Sequence, residues 1–359
     1  MNATPDTLTR QEIWTSRVSQ KTAVQRITAL WALSEAALGG VLHALRIPFT
    51  GLFIGSSAVV FIALIAFFGE RKREILRATL LVLIIKGVIS PHTPLTAFLA
   101  VGLQGVAGAV LFRFIRLFPL AALLLGIFTL LQSSLQKIVI LTLVFGKNLW
   151  EALDILGTFI LKQLSLISTQ SANLPISLTL ISVYIGFHLM AGIIAGILAG
   201  KLPQWIKEEH RENPAVYPIN VDENIRKSVK RKKRRPWWKR ISGILIFCLS
   251  LLVIIFSYLF PDFNSGVATR VILMLVRSTF ILLIWYFFVG PLVRKFYQKF
   301  ISSRQRYYGE EIETILAIMP LVREIVKLNW KQAKKYPGLR KYHSFLVTTL
   351  TAILTVNLE

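Results

Sequence analysis

The sequence predicts an all-α fold, a polytopic bundle of membrane helices. Three observations predict it. First, 54% of the 359 residues are hydrophobic and the mean hydropathy is +0.59, too apolar for an ordinary soluble protein. Second, several apolar runs approach about 20 residues, the length that crosses a bilayer core. In lipid each segment must satisfy its own backbone, so helices are the physical default. Third, Lys and Arg gather in every second connection between those runs, as cytoplasmic loops require.

The formal charge of +24 sits mostly beside these runs, and the basic stretch 226–240 leads straight into one. That placement predicts contact with anionic lipids rather than nucleic acid. The one cysteine, Cys248, lies in an apolar run, so no internal disulfide or cysteine-based zinc site can be drawn. The polar N-terminal stretch does not read as a cleavable signal, so the first span is expected to serve as an uncleaved one.

Taken in order, 1–26 forms a cytoplasmic segment with Arg10, Arg17, Lys21 and Arg26. A six-span membrane domain follows over 27–201. Its first span covers 27–45 and its second 48–68, with Arg46-Ile47-Pro48 between them. The basic loop around Arg71, Lys72, Arg73 and Arg77 is cytoplasmic. The third span, 75–89, ends at two prolines, Pro91 and Pro94, which cannot continue a helix. The fourth, 95–112, ends inside at Arg113 and Arg116. The fifth runs from 118 toward 145. That is long for one crossing and predicts a tilt or a break near Gln132-Ser133-Ser134. Leu149, Leu153, Leu156, Ile160 and Leu164 then recur at helical spacing, an amphipathic helix on the outer side. The sixth span, 176–199, returns to Lys201.

Residues 202–240 form a basic cytoplasmic linker, expected to be extended because of Pro203, Pro214 and Pro218. A two-span hairpin follows over 241–293, with spans at 241–260 and 271–293. Residues 294–359 are a basic cytoplasmic amphipathic region. Within it Ile312, Ile315, Leu316, Met319, Val322, Ile325 and Val326 make one apolar face for a membrane or a partner. Pro320 should kink or split that helix. The apolar segment 346–358 is short for a span.

The chemistry-bearing residues are few. There is no phosphate-binding loop, HExxH, GxSxG or CxxC. Any active transport must draw its energy from a partner or an ion gradient, and no catalytic residue, metal or cofactor is expected. Two stripes of small residues recur every four positions. One is Ala32, Ala36, Gly40 and Ala44; the other follows His188 through Gly192, Gly196 and Gly200. Such faces allow close helix approach, either within the chain or with another subunit. Ser34, Glu35, His43, Arg46, Lys86, His92, Gln104, Gln132 and Gln136 are polar positions within spans or at their outer ends. Ionisable groups there are costly and default to functional candidates. Glu35, in mid-helix, needs a cation or hydrogen-bond donor beside it, whereas Lys86 is near enough to an outer end to snorkel.

The stretches ALSEAALGGVLHALRIPFTGLFIGS and KGVISPHTPLTAFLAVGLQGVAGAVLF resemble the substrate-binding S components of energy-coupling-factor (ECF) transporters. The likeness covers about 27–200 and rests on topology, the Ala-xxx-Ala face and the loops at 46–50 and 90–94. It implies a six-helix uptake subunit for a vitamin-like small molecule in the bacterial inner membrane, with both termini inside and no catalytic activity of its own. It implies that the Ala32, Ala36, Gly40 and Ala44 face docks on a T-type transmembrane coupling protein, which sits on two ABC-type ATPases. It also implies substrate binding near the outer surface, with His43, Arg46, His92, Thr93, Gln132, Trp150 and Glu151 as candidate ligands. The tail beyond the sixth span departs from the pattern; it is either a fused T-like region or a site for another partner. A non-transport scaffold recruiting partners through the basic tail is the rival expectation. A third is an enzyme using Glu35 or His188 on a lipid-linked substrate.

Overall fold

The structure is a computed structural model that describes residues 20–38, 50–69, 73–89, 94–165, 175–212 and 266–355. Among the described residues 93% are helical and no strand is present. Helix α1 is Gln20–Leu33, continued by a π-helical turn at Ser34–Leu38. Next come α2 (Thr50–Phe68), α3 (Glu74–Ile89), α4 (Leu95–Phe114) and α5 (Phe118–Phe145). Helix α6 is Lys147–Gln163 and α7 is Ile176–Glu212. Helix α8 (Gly266–Ile284) runs through a π turn at Trp285–Val289 into α9 (Gly290–Tyr307). Helices α10 (Gly309–Ala333) and α11 (Arg340–Thr355) complete the described chain.

Five helical stretches are long and apolar enough to cross a membrane: α2, α4, α5, α7 and Met274–Arg304. The bounds of α2, α3 and α4 follow the expected spans to within a few residues, because Pro48 and Pro94 and the basic loop at 71–73 interrupt apolar runs locally.

Helix α1 starts at Gln20 and includes Lys21 and Arg26. Helix α5 passes Gln132-Ser133-Ser134 without a break, which removes the broken alternative. Helix α10 is one helix across Pro320 and is not split there. One expectation is corrected: helix α7 continues past Lys201 and Pro203 to Glu212, making 202–212 helical rather than extended. The expected span at 241–260 and the rest of the linker lie outside the described residues.

The chain forms two compact units. The first comprises Met1–Ser133, Phe187–Ile225 and Lys299–Glu359. Helix α1 is its centre and packs against α2, α3, α10 and α11. Ile27, Ala29, Trp31 and Ala32 are fully buried there. Ile312, Ile315, Val322 and Ile325 of α10 and Val347, Leu350 and Leu354 of α11 join the same apolar core. The amphipathic face expected to lie on a membrane or a partner is thus covered within the chain, where α1 lies against it. Two polar contacts fasten this packing. The buried Arg26 guanidinium donates through Nη1 to the carbonyl oxygens of Ile353 and Leu354, both at 3.0 Å. It satisfies carbonyls at the end of α11, where a cation also suits the helix dipole. Arg77 of α3 pairs with Glu311 of α10, with Nε donating to Oε2 at 3.1 Å.

The same unit contains a very close helix crossing. A Cβ at Gly192 of α7 would stand 2.7 Å from the Gly126 oxygen of α5, and one at Gly196 2.6 Å from the Leu123 Cα. Only glycine allows backbones this near.

The second unit comprises Ser134–Gly186 and Arg226–Gln298. Val271 and Leu275 of α8 pack on Ile155, Leu156 and Phe159 of α6. The Asp154 carboxylate accepts the Ser177 backbone N–H at 2.6 Å and so caps the start of α7. Gly146, at φ +75°, turns the chain from α5 into α6.

Candidate functional site

The site is built on the polar groups that the first unit holds in its apolar interior. Helix α1 carries Glu35 in its π turn, and α3 carries Lys86 one turn before its end. Lys86 Nζ donates to Glu35 Oε2 at 2.6 Å, and the two side chains are only 5% and 1% exposed. Lys86 therefore does not snorkel; it points inward to the carboxylate that needed a cation. The Phe98 ring of α4 lies 5.6 Å from the same ammonium and offers its π face. Beside the pair, the hydroxyls of Ser34 and Ser57 share a hydrogen bond of 2.9 Å that joins α1 to α2.

The pair leaves bonding capacity unused. An ammonium has three donors and a carboxylate two oxygens. Glu35 Oε1 is buried, and the buried Trp31 indole N–H, one turn earlier on α1, is a further donor directed at this carboxylate. Removing one member of a buried ion pair typically costs about 3–5 kcal/mol, because the other charge remains in a low dielectric.

Both members stand at helix ends that lead into the two connections expected to carry ligand contacts. Glu35 precedes 39–49, which contains His43 and Arg46, and Lys86 precedes 90–93, which contains His92 and Thr93. Those four residues, together with Gly40 and Ala44, lie outside the described residues. Of the other expected ligands, Gln132 is half-buried on α5 in the first unit. Trp150 and Glu151 belong to α6 in the second. The Trp150 indole donates to Thr142 Oγ1 at 3.0 Å, and Glu151 is exposed.

Ala32 and Ala36 are 0% and 6% exposed, so another subunit reaches them only if a covering helix moves aside. Gly192, Gly196 and Gly200 of the second stripe pack on α5 of this same chain. His188, at the head of that stripe, is fully buried.

A cleft at the opposite end of α1 and α3 is lined by Lys21, Gln25, Thr28, Glu74, Arg77 and Glu311. It holds none of the expected ligands, and the Arg77–Glu311 pair runs along its wall. Among the described residues no three His, Cys, Asp or Glu side chains converge as a metal site would require.

Sequence reasoning marked Glu35 and Lys86 separately and missed Arg26. An arginine followed directly by an apolar run is the signal that could have flagged it. No protein-family model, curated protein or solved structure matches this chain.

Proposed function

We propose that this chain is the substrate-binding subunit of an ECF-like importer. It takes up a vitamin-like small molecule across a bacterial inner membrane. Partner ABC ATPases supply the energy through a T-type coupling protein. The observation that carries this reading is the Glu35–Lys86 pair, buried in an apolar helical unit at the ends that lead to 39–49 and 90–93. Ionisable groups buried in an apolar interior are expensive and are candidates for a functional site. The bounds of α2, α3 and α4 are consistent with the resemblance drawn from the sequence.

The test is gentle purification of the tagged protein from its native membrane, with identification of whatever accompanies it. ABC ATPases and a T-type protein in fixed ratio are the expected result. ATPases alone would assign the coupling role to residues 240–359. Neither would overturn the reading.

A scaffold that recruits partners through its basic tail is favoured by one specific feature. Helix α9 carries Lys295, Lys299 and Arg304 next to Phe296, which is 77% exposed. Helix α10 does not serve that reading, since its apolar face is already covered. Recovery of an unrelated assembly that is lost on Phe296→Ala would establish the scaffold instead.

A further inference from the structure

We propose that the turn between α10 and α11 is a docking tip for an anionic membrane surface. Its lysines and arginine take the lipid phosphates, and Leu339 enters the headgroup layer. This inference stands apart from the importer reading, which makes no use of this surface.

Composition comes first. No acidic residue occurs between Glu324 and Glu359, while Lys327, Lys331, Lys334, Lys335, Arg340 and Lys341 fall within that interval. A dense run of one sign repels itself and draws in an anionic surface. Lys331, Lys334, Lys335 and Arg340 are all exposed. Between them Gly338 takes φ +57° and reverses the chain. Leu339 beside it is 85% exposed, the most exposed large apolar side chain among the described residues. Tyr336 and Tyr342 flank it and are exposed too. The base of the turn is firmly packed. The Trp330 and Phe345 rings meet edge to face at 5.0 Å, and Lys341 Nζ lies 4.7 Å from the centre of the Tyr342 ring.

Placement then selects the occupant. His343, at the start of α11, meets Trp205 of α7 with ring centres 4.6 Å apart. Trp205 comes just after the apolar stretch of α7, which ends at Lys201. Lys207 of the same helix lies 5.4 Å from the ring of Phe67 at the end of α2, and Phe67 in turn meets Phe118 at the start of α5. The ends of three apolar helices thus stand together, with the aromatic side chains that favour a membrane–water boundary. The α10–α11 turn joins them there. At that level its cations reach headgroup phosphates while an apolar tip finds lipid. Nucleic acid fits less well, because it needs aromatic faces free for stacking. Trp330 is engaged by Phe345 and Lys341, and Leu339 offers a base no hydrogen bond. The lipid contact expected of the apolar face of α10, which α1 covers, passes to this turn.

The experiment puts an environment-sensitive fluorophore on Leu339→Cys in the full-length chain, with Cys248→Ser so that one thiol takes the label. The protein is reconstituted into vesicles of phosphatidylcholine, with or without phosphatidylglycerol. Phosphatidylcholine with brominated acyl chains quenches any label that enters the lipid. Quenching is expected with phosphatidylglycerol present. It should fall at least about threefold without it, since each cation near an anionic surface is worth about fivefold in binding. A Lys334→Gln/Lys335→Gln/Arg340→Gln change on the labelled protein should cause a similar fall in the phosphatidylglycerol vesicles. All three positions are exposed, so the melting temperature should stay unchanged. No quenching, or quenching of equal size with and without phosphatidylglycerol or in the triple variant, would overturn the proposal. An unquenched label whose emission shifts on adding a single-stranded oligonucleotide would overturn it in favour of nucleic acid. The same shift with polyglutamate would overturn it in favour of an acidic protein. If the Cys248→Ser background does not fold, Leu339→Cys with Cys248 retained is compared with wild type labelled at Cys248 alone. The difference between the two signals then decides by the same criteria.

Discussion

Two buried cations carry the first unit, and they act differently. Lys86 faces a single carboxylate, so each charge compensates the other. Glu35→Leu or Lys86→Met alone should lower stability by about 3–5 kcal/mol, and the double change should restore most of that loss. Thermal or denaturant unfolding of the four proteins in one detergent makes the comparison, and equal losses in single and double variants would refute the coupling. Arg26 faces carbonyl dipoles instead of a carboxylate. Arg26→Met removes two charge-assisted hydrogen bonds, each worth about 1.5–3 kcal/mol, from the last turns of α11. The expected outcome is earlier proteolytic cleavage near residue 340 while α2 to α4 remain protected. Unchanged cleavage would mean that apolar packing alone seats the helix.

At the scale of elements, the closest contact is the crossing of α5 and α7 at Gly126, Gly192 and Gly196. Gly196→Val would place a branched side chain against the Leu123 backbone, and no rotamer change of a neighbour relieves that. Overpacking of this kind costs about 1–3 kcal/mol, and a lower melting temperature is the readout. Gly186→Val, where a Cβ meets nothing within 4 Å, is the control and should leave stability unchanged. Helices α10 and α11 show a second point about elements. Their amphipathic pattern was legible in the sequence, but its destination was not. An apolar stripe states that something will cover it, and lipid, a partner and the chain's own α1 satisfy that demand equally well.

For the whole molecule, the first unit draws on three separate stretches of chain and includes α10 and α11. A chain ended after residue 308 loses Ile312, Ile315, Val322 and Ile325 from the core around α1. Each such side chain contributes about 1.5–3 kcal/mol when fully buried. That sum is comparable to the entire stability of a typical domain. The shortened protein is expected to aggregate in detergent by size-exclusion chromatography. A monodisperse peak would show that residues before 309 fold by themselves, as the six-span likeness implies.

What the sequence determined by itself is local. The all-α class, the bounds of α2 to α4, the amphipathic stretch of α6 and the costliness of Glu35 all follow from apolar length, helix breakers and periodicity within a few turns. The tertiary structure alone decided which surfaces and charges meet. It paired Glu35 with Lys86 across 51 residues, set Arg26 on carbonyls 327 and 328 residues away, and laid the tail on α1. Helical periodicity specifies which face of a segment seeks a partner. The choice among partners of similar apolarity depends on how side chains interlock once all the helices are present.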